Sequence, residues 1–178
     1  GIETGLDDVL HFMCKDHNKE QVYEAIERLH KVGLEYDAHM MTGIAGKGRG
    51  IENAEAIAEF YNKTKPKKIV NFSMFLHVEA PLYRDIEKGL FVPADELENL
   101  EEEKRLLELL DVDGVEYDGF HDFVKVRVRG VLPKDREKMI AKVEEGIETY
   151  KNKESVYAKV GGCCCELDCY QMTDPDFR

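Results

Sequence analysis

Apolar residues recur along this chain at two alternating spacings, and the spacings divide it into elements. Residues 19 to 32 place Val22, Ala25, Ile26, Leu29 and Val32 three and four apart, the period of one helical face. Asn18 stands before them as an N-cap and Gly33 after them as a left-handed C′ residue. Leu34 to Met41 reads as a strand, and Ile51 to Lys63 as a helix with Ile51, Ala54, Ile57, Ala58 and Tyr61 on one face. Ile69 to Leu76 is the next strand; its alternation sends Asn71, Ser73 and Phe75 to one side and Val70, Phe72, Met74 and Leu76 to the other. The first of these sides is polar enough to face a lumen or a ligand. The pattern is irregular from Ala80 to Pro93. Asp95 to Leu110 then predicts a charged helix carrying Leu97, Leu100, Leu107 and Leu110, with the EEEK run at 101 to 104 as its solvated face. Val115 to Val131 reads as a loop or short strands. The last helix, Lys134 to Tyr150, turns Met139, Ile140, Val143 and Ile147 inward, and residues 151 to 178 show no periodicity.

Strands alternating with helices of this length imply βαβ units, hence an α/β fold with a parallel sheet or a barrel with helices outside. Ligands in such folds sit at the carboxyl ends of the strands. Four glycines fall there, in the GIAGKGRG loop from Gly43 to Gly50, and the GIETG segment at the amino terminus opens on the same rim. Glycine backbones approach ligands closely, and the helix that follows offers unpaired N–H groups. The loop matches no nucleotide fingerprint: Gly48 stands where a Walker motif needs Ser or Thr, and the GxGxxG spacing is wrong. Lys47 and Arg49 within it face either a substrate anion or solvent.

Composition narrows the setting. With 43% hydrophobic residues, 178 residues can bury one core. The expected division is a main unit over residues 1 to 150 and a flexible, Cys-rich tail over 151 to 178. A net charge of −12 disfavours long-range attraction to nucleic acid or anionic membrane, and no apolar run approaches the roughly 20 residues of a membrane span. The chain reads as cytoplasmic, with a small-molecule ligand as partner. Cys14 stands alone, while Cys163, Cys164, Cys165 and Cys169 crowd into seven residues, unlike a secreted disulfide framework. That cluster reads as a reduced, disordered tail, or as thiolates for zinc, copper or an auxiliary iron–sulfur cluster. His17, His77 and His121 lack metal-ligand spacing, and no metal is assigned to them.

Read in order, GIETGLDDVL, MCKDH, MMTGIAG, FLHVEAPLY, the Lys88–Gly89 pair and RGVLPKD at 129 to 135 resemble the C-terminal half of radical SAM enzymes. The similarity is to the group that includes oxygen-independent coproporphyrinogen III oxidase and covers about residues 1 to 150. The resemblance implies the C-terminal half of a partial (β/α)6 TIM-like barrel, S-adenosylmethionine as cofactor, and a 4Fe–4S cluster whose electron generates a 5′-deoxyadenosyl radical. It further implies positions. Glu3 matches a polar residue that contacts the cofactor, suited to ribose hydroxyls. Lys15 matches a basic residue that meets the methionine carboxylate. His39 stands where relatives often carry an Asp for the ribose. Gly43, Ile44 and Gly46 match the loop against the adenine, and Leu76 and His77 match the segment whose backbone holds the adenine edge.

The family's CxxxCxxC motif is not among these residues, so the resemblance implies a fragment whose cluster ligands lie outside this chain and which is inert alone. Cys165 and Cys169 have CxxxC spacing, but Met172 holds the third position, and the match is read as coincidence. Two alternatives stand beside it: a nucleotide-binding barrel remnant without radical chemistry, and a metal-binding protein acting through Cys163 to Cys169. The fragment reading also predicts an open sheet with an unpaired leading edge, the side of Asn71 and Ser73 being exposed to water.

Overall fold

The computed structural model describes residues 1–161. The chain runs α1 (Asp7–Phe12), α2 (Lys19–Lys31), β1 (Asp37–Thr42), α3 (Gly50–Thr64), β2 (Lys68–Ser73), β3 (Leu76–His77), α4 (Pro81–Glu87) and α5 (Glu96–Leu109). It continues through β4 (Val115–His121), a 3-10 turn (Asp122–Val124), β5 (Val126–Leu132), α6 (Arg136–Tyr150) and β6 (Lys159–Val160). The main sheet has the order β1-β2-β4-β5; β1, β2 and β4 are parallel, and β5 returns antiparallel to β4. This is an α/β fold with a mostly parallel sheet, open among the described residues. The amino-terminal segment adds one parallel bridge outside β1, Glu3 opposite Met40.

Local chemistry explains most boundaries. Asn18 and Gln21 form the capping box of α2, each side chain bonded to the other's backbone N–H at 2.9 Å, and Gly33 follows with a positive φ. The predicted apolar face of α2 is nevertheless mostly exposed: Ile26 alone is buried, and Val32 is 71% exposed. The strand predicted to run to Leu76 ends at Ser73. Met74 N–H bonds to the Thr42 carbonyl and Leu76 N–H to the Ala158 carbonyl, so Leu76 and His77 form a separate ladder with β6. Ala158 is buried there, which holds residues up to 160 in the fold. Pro81 starts α4 inside the stretch predicted to be irregular, and the uncertain 115 to 131 region is a hairpin.

Helices α3, α5 and α6 pack side by side over one sheet face, with α5 in the middle. That arrangement corrects two sequence expectations. Asn71 and Ser73 lie on the helix-covered face and are buried, not open to water or a lumen. The EEEK run is not a solvated face either: Glu102 is 1% exposed and Glu103 is fully buried. The reason is periodic. Glu96, Asn99, Leu100, Glu103 and Leu107 stand at the three- and four-residue spacing of one helical face, and all are buried, so the polar positions of β2 and α5 meet each other. The opposite sheet face is the open one. It carries exposed His39, Arg127 and Arg129 beside half-buried Val70, Phe72 and Phe120.

Candidate functional site

The three parallel strands end at Thr42, Ser73 and His121, and the loops beyond them form a rim. Gly43 leaves β1 with φ +82, and a Cβ there would stand 2.6 Å from Asn99 Oδ1, so only glycine fits. The amides of the glycine loop are largely taken. Gly43 N–H donates to Glu102 Oε2 (2.9 Å), Gly46 N–H to the Gly43 carbonyl, Lys47 N–H to the Val92 carbonyl and Gly48 N–H to Glu98 Oε1. Arg49 N–H donates to the Gly46 carbonyl. A loop so satisfied is a wall, not a phosphate cradle. Arg49 is held by Asp8 and Glu52, each at 2.8 Å, and the two carboxylates raise its pKa further. Lys47 is exposed, with no ion pair among the described residues.

The residues implied by the resemblance fall into two groups. At the β1 edge, Lys15 Nζ pairs with Glu3 Oε1 at 3.3 Å, and Glu3 N–H donates to the His39 carbonyl. Glu3 has a positive φ of 68, an uncommon conformation for a non-glycine residue. Its second carboxylate oxygen is buried without a hydrogen-bond partner. The other group is apolar: Ile44 and Leu76 share a small cluster with Val9, Ala45, Met74 and Phe91. Beside it opens a cleft of about 350 Å³, lined by Ile44 and Gly46 among others, with Phe12 stacked on Phe91 at 5.8 Å. Glu3, Lys15 and His39 do not line that cleft. The Leu76 amide is already bonded to Ala158. His77 is exposed, its Nδ1 accepting the Glu79 N–H at 3.3 Å.

What joins the two groups is a buried bridge. Thr4 Oγ1 donates to Asn53 Oδ1 (2.5 Å), Asn53 Nδ2 donates to Glu102 Oε1 (2.6 Å), and Glu102 Oε2 receives Gly43 N–H. Burial pushes Glu102 up to about 8, against the hydrogen bonds from Gly43 and Asn53 that lower it. Deeper in, Ser73 Oγ lies 2.5 Å from His121 Nδ1 and donates to Glu96 Oε2, while His121 Nε2 meets Glu103 Oε2 at 2.9 Å. Tyr117 donates to Glu103 at 2.8 Å. Burial would lower the His121 pKa, but Glu103 and Glu96 raise it more, to about 10, so the ring is an imidazolium between two carboxylates. Sequence reading missed Thr4, Asn53, Glu96, Glu102, Glu103 and His121 as a network. The available signal was polar residues at buried helical phase, Asn53 beside Ala54 and Ile57, and Glu103 seven residues after Glu96.

Among the described residues no three His, Cys, Asp or Glu side chains are placed to hold a metal ion. Cys14 is an exposed free thiol; Cys163, Cys164, Cys165 and Cys169 lie outside the described residues. The described residues therefore do not fit a 4Fe–4S cluster. The Glu3 carboxylate has one oxygen on the Lys15 ammonium and the other buried without a partner, a donor set that a ligand hydroxyl and carboxylate would suit. No helix among the described residues is long and apolar enough to cross a membrane. Compared with models of known protein families and with curated proteins, the chain matches none.

Proposed function

We propose that this chain forms one side of an S-adenosylmethionine pocket, as the C-terminal half of a partial (β/α)6 barrel from a radical SAM enzyme acting on an unidentified substrate. The observation that carries the reading is the buried, unpartnered Oε2 of Glu3, a residue whose other carboxylate oxygen pairs with the Lys15 ammonium and whose backbone N–H bonds to the His39 carbonyl at the edge of a parallel sheet. An acceptor left without a donor in a buried position costs free energy that a ligand hydroxyl would recover. In this reading Glu3 Oε2 accepts from the ribose, and Lys15 exchanges Glu3 for the methionine carboxylate. His39 lies beside the ribose, and Ile44 with the backbone of Gly43 and Gly46 walls the adenine. Together with an iron–sulfur cluster such a cofactor supplies hydrogen-abstracting radical chemistry. The described residues supply no ligands for such a cluster.

The test is a ¹⁵N NMR titration with S-adenosylmethionine and, separately, with 5′-methylthioadenosine, which lacks the carboxylate. The expected outcome is shifts at Glu3, His39, Ile44 and Gly46 with both compounds, and at Lys15 with S-adenosylmethionine alone. Absent shifts, or shifts confined to residues other than these, overturn the reading. If binding is seen but anaerobic reconstitution of the longest natural chain yields no iron–sulfur absorption that bleaches with dithionite, the protein is a nucleotide-binding remnant without radical chemistry.

A further inference from the structure

The bridge between the two halves of the rim has a direction. Thr4 O–H and Gly5 N–H both donate to Asn53 Oδ1, at 2.5 and 3.4 Å, and Asn53 Nδ2 donates to Glu102 Oε1. Gly43 N–H reaches Glu102 from the other side. Two donors thus point at Asn53 Oδ1 and two at the Glu102 carboxylate, whose ionised form, having acceptors alone, takes both without conflict. A proton on Glu102 directed at either donor sets an O–H against an N–H. Gly43 cannot answer, because its donor is backbone. Asn53 can: turning its amide over presents Oδ1 to Glu102 and Nδ2 to Thr4. The Thr4 hydroxyl can rotate to suit, but Gly5 N–H cannot reverse and loses its acceptor.

We propose that Glu102 is a positioning residue whose ionisation sets the polarity of this bridge, so that a proton slackens the GIETG segment and the glycine loop together. The bridge itself needs no ligand; its consequence for S-adenosylmethionine rests on the pocket proposed above. Thr4, Asn53 and Glu102 are all buried, so no water competes for the junction. Two titratable or charged groups act on Glu102 from the elements around it: His121 on β4, which favours its charge, and Glu103 on its own helix, which opposes it. Asn53 on α3 and Gly43 on the β1 loop supply neutral donors. Opening the bridge moves the backbone next to Glu3 and Ile44, the two walls of the proposed pocket.

A ¹⁵N NMR pH titration of the ligand-free chain between pH 6 and 10 tests the latch. The expected result is that the Gly5 and Gly43 amides and the Asn53 side-chain NH₂ shift together with one midpoint near 8, and that Glu102→Gln abolishes all three titrations. In wild-type protein the affinity for S-adenosylmethionine should rise through the same midpoint, and in Glu102→Gln it should not. Flat resonances, separate midpoints, or titrations that survive in Glu102→Gln overturn the proposal. Should Glu102→Gln fail to fold, the shared wild-type midpoint decides alone, since separate midpoints exclude a single switch. A ligand-free titration that succeeds while S-adenosylmethionine fails to bind removes the pocket and leaves the latch.

Discussion

At the scale of single residues, two positions carry more than their size suggests. Gly5 lies against the backbone of α3: a Cβ there would stand 2.5 Å from the Ala56 carbonyl carbon and 2.6 Å from the Ile57 nitrogen. No rotamer relieves a clash with backbone, so Gly5→Ala should destabilise the chain by about 1–3 kcal/mol through overpacking. Urea unfolding with an unchanged m-value checks this. His121 makes stability depend on pH. Its folded pKa, raised to about 10 from 6.5, means that the imidazolium's contribution is complete below about 6.5 and lost as pH rises through 10. Glu102, raised from 4.5 to about 8, also binds its proton more tightly when folded, so its share declines between those values. The expected outcome is a urea midpoint that falls steadily from pH 7 to pH 10, with a flatter slope in His121→Gln. A midpoint that rises over that range would contradict the placement of both groups.

At the scale of elements, α5 shows where sequence reading succeeded and where it did not. Its existence and its Asp95 start were legible, since Asp95 caps the Glu98 N–H. Its orientation was not, because a run of three glutamates reads as solvated unless their phase is checked against a polar partner strand. Glu103 is the centre of that partnership, receiving Tyr117, Asn71 and His121. Removing its charge strands a buried imidazolium, so Glu103→Leu should cost about 3–5 kcal/mol. Glu101→Lys, on the exposed side of the same helix, should change stability by less than about 0.5 kcal/mol. Thermal melts of the two variants against wild type separate them. The same limit explains β2. Alternation separated Asn71 and Ser73 from Val70 and Phe72, but it misplaced Met74, Phe75 and Leu76, could not say which set α5 would cover, and did not show that the strand stops at Ser73 so that Leu76 pairs with Lys159. Motif order put Glu3 and Lys15 on one rim, but not their ion pair with each other. The Thr4–Asn53–Glu102 bridge was not, because its members are about fifty residues apart in sequence and only the packing of α3 on α5 joins them.

At the scale of the whole molecule, the asymmetry between the two sheet faces is the feature that calls for an explanation. One face is sealed by α3, α5 and α6. On the other, a row crosses the sheet near the carboxyl ends of the parallel strands: Met41, Phe72, Phe120 and Arg127, each opposite the next in register. Phe72 stacks on Phe120 at 5.9 Å, and the Arg127 guanidinium covers the far side of Phe120 at 5.2 Å. Asp118 holds both Arg127 and Arg129. An open face of aromatic rings bordered by two arginines that share one aspartate is a local apolar surface on a chain whose net charge is −12. If this face is the inner wall of a larger barrel, as the proposed function holds, it should bind an anionic apolar probe when left uncovered. Anilinonaphthalene sulfonate fluorescence is therefore expected to rise with the folded chain, and to fall close to the free-dye level in the double variant Phe72→Thr, Phe120→Thr. The far-UV circular dichroism of the double variant should be retained, because both rings are only half-buried and losing their stacking should cost about 0.5–1.5 kcal/mol beyond the area term. Dye binding that persists in that variant would assign the exposed apolar surface instead to the cleft at Phe12, Leu90 and Val92, and would remove the open face as a ligand wall.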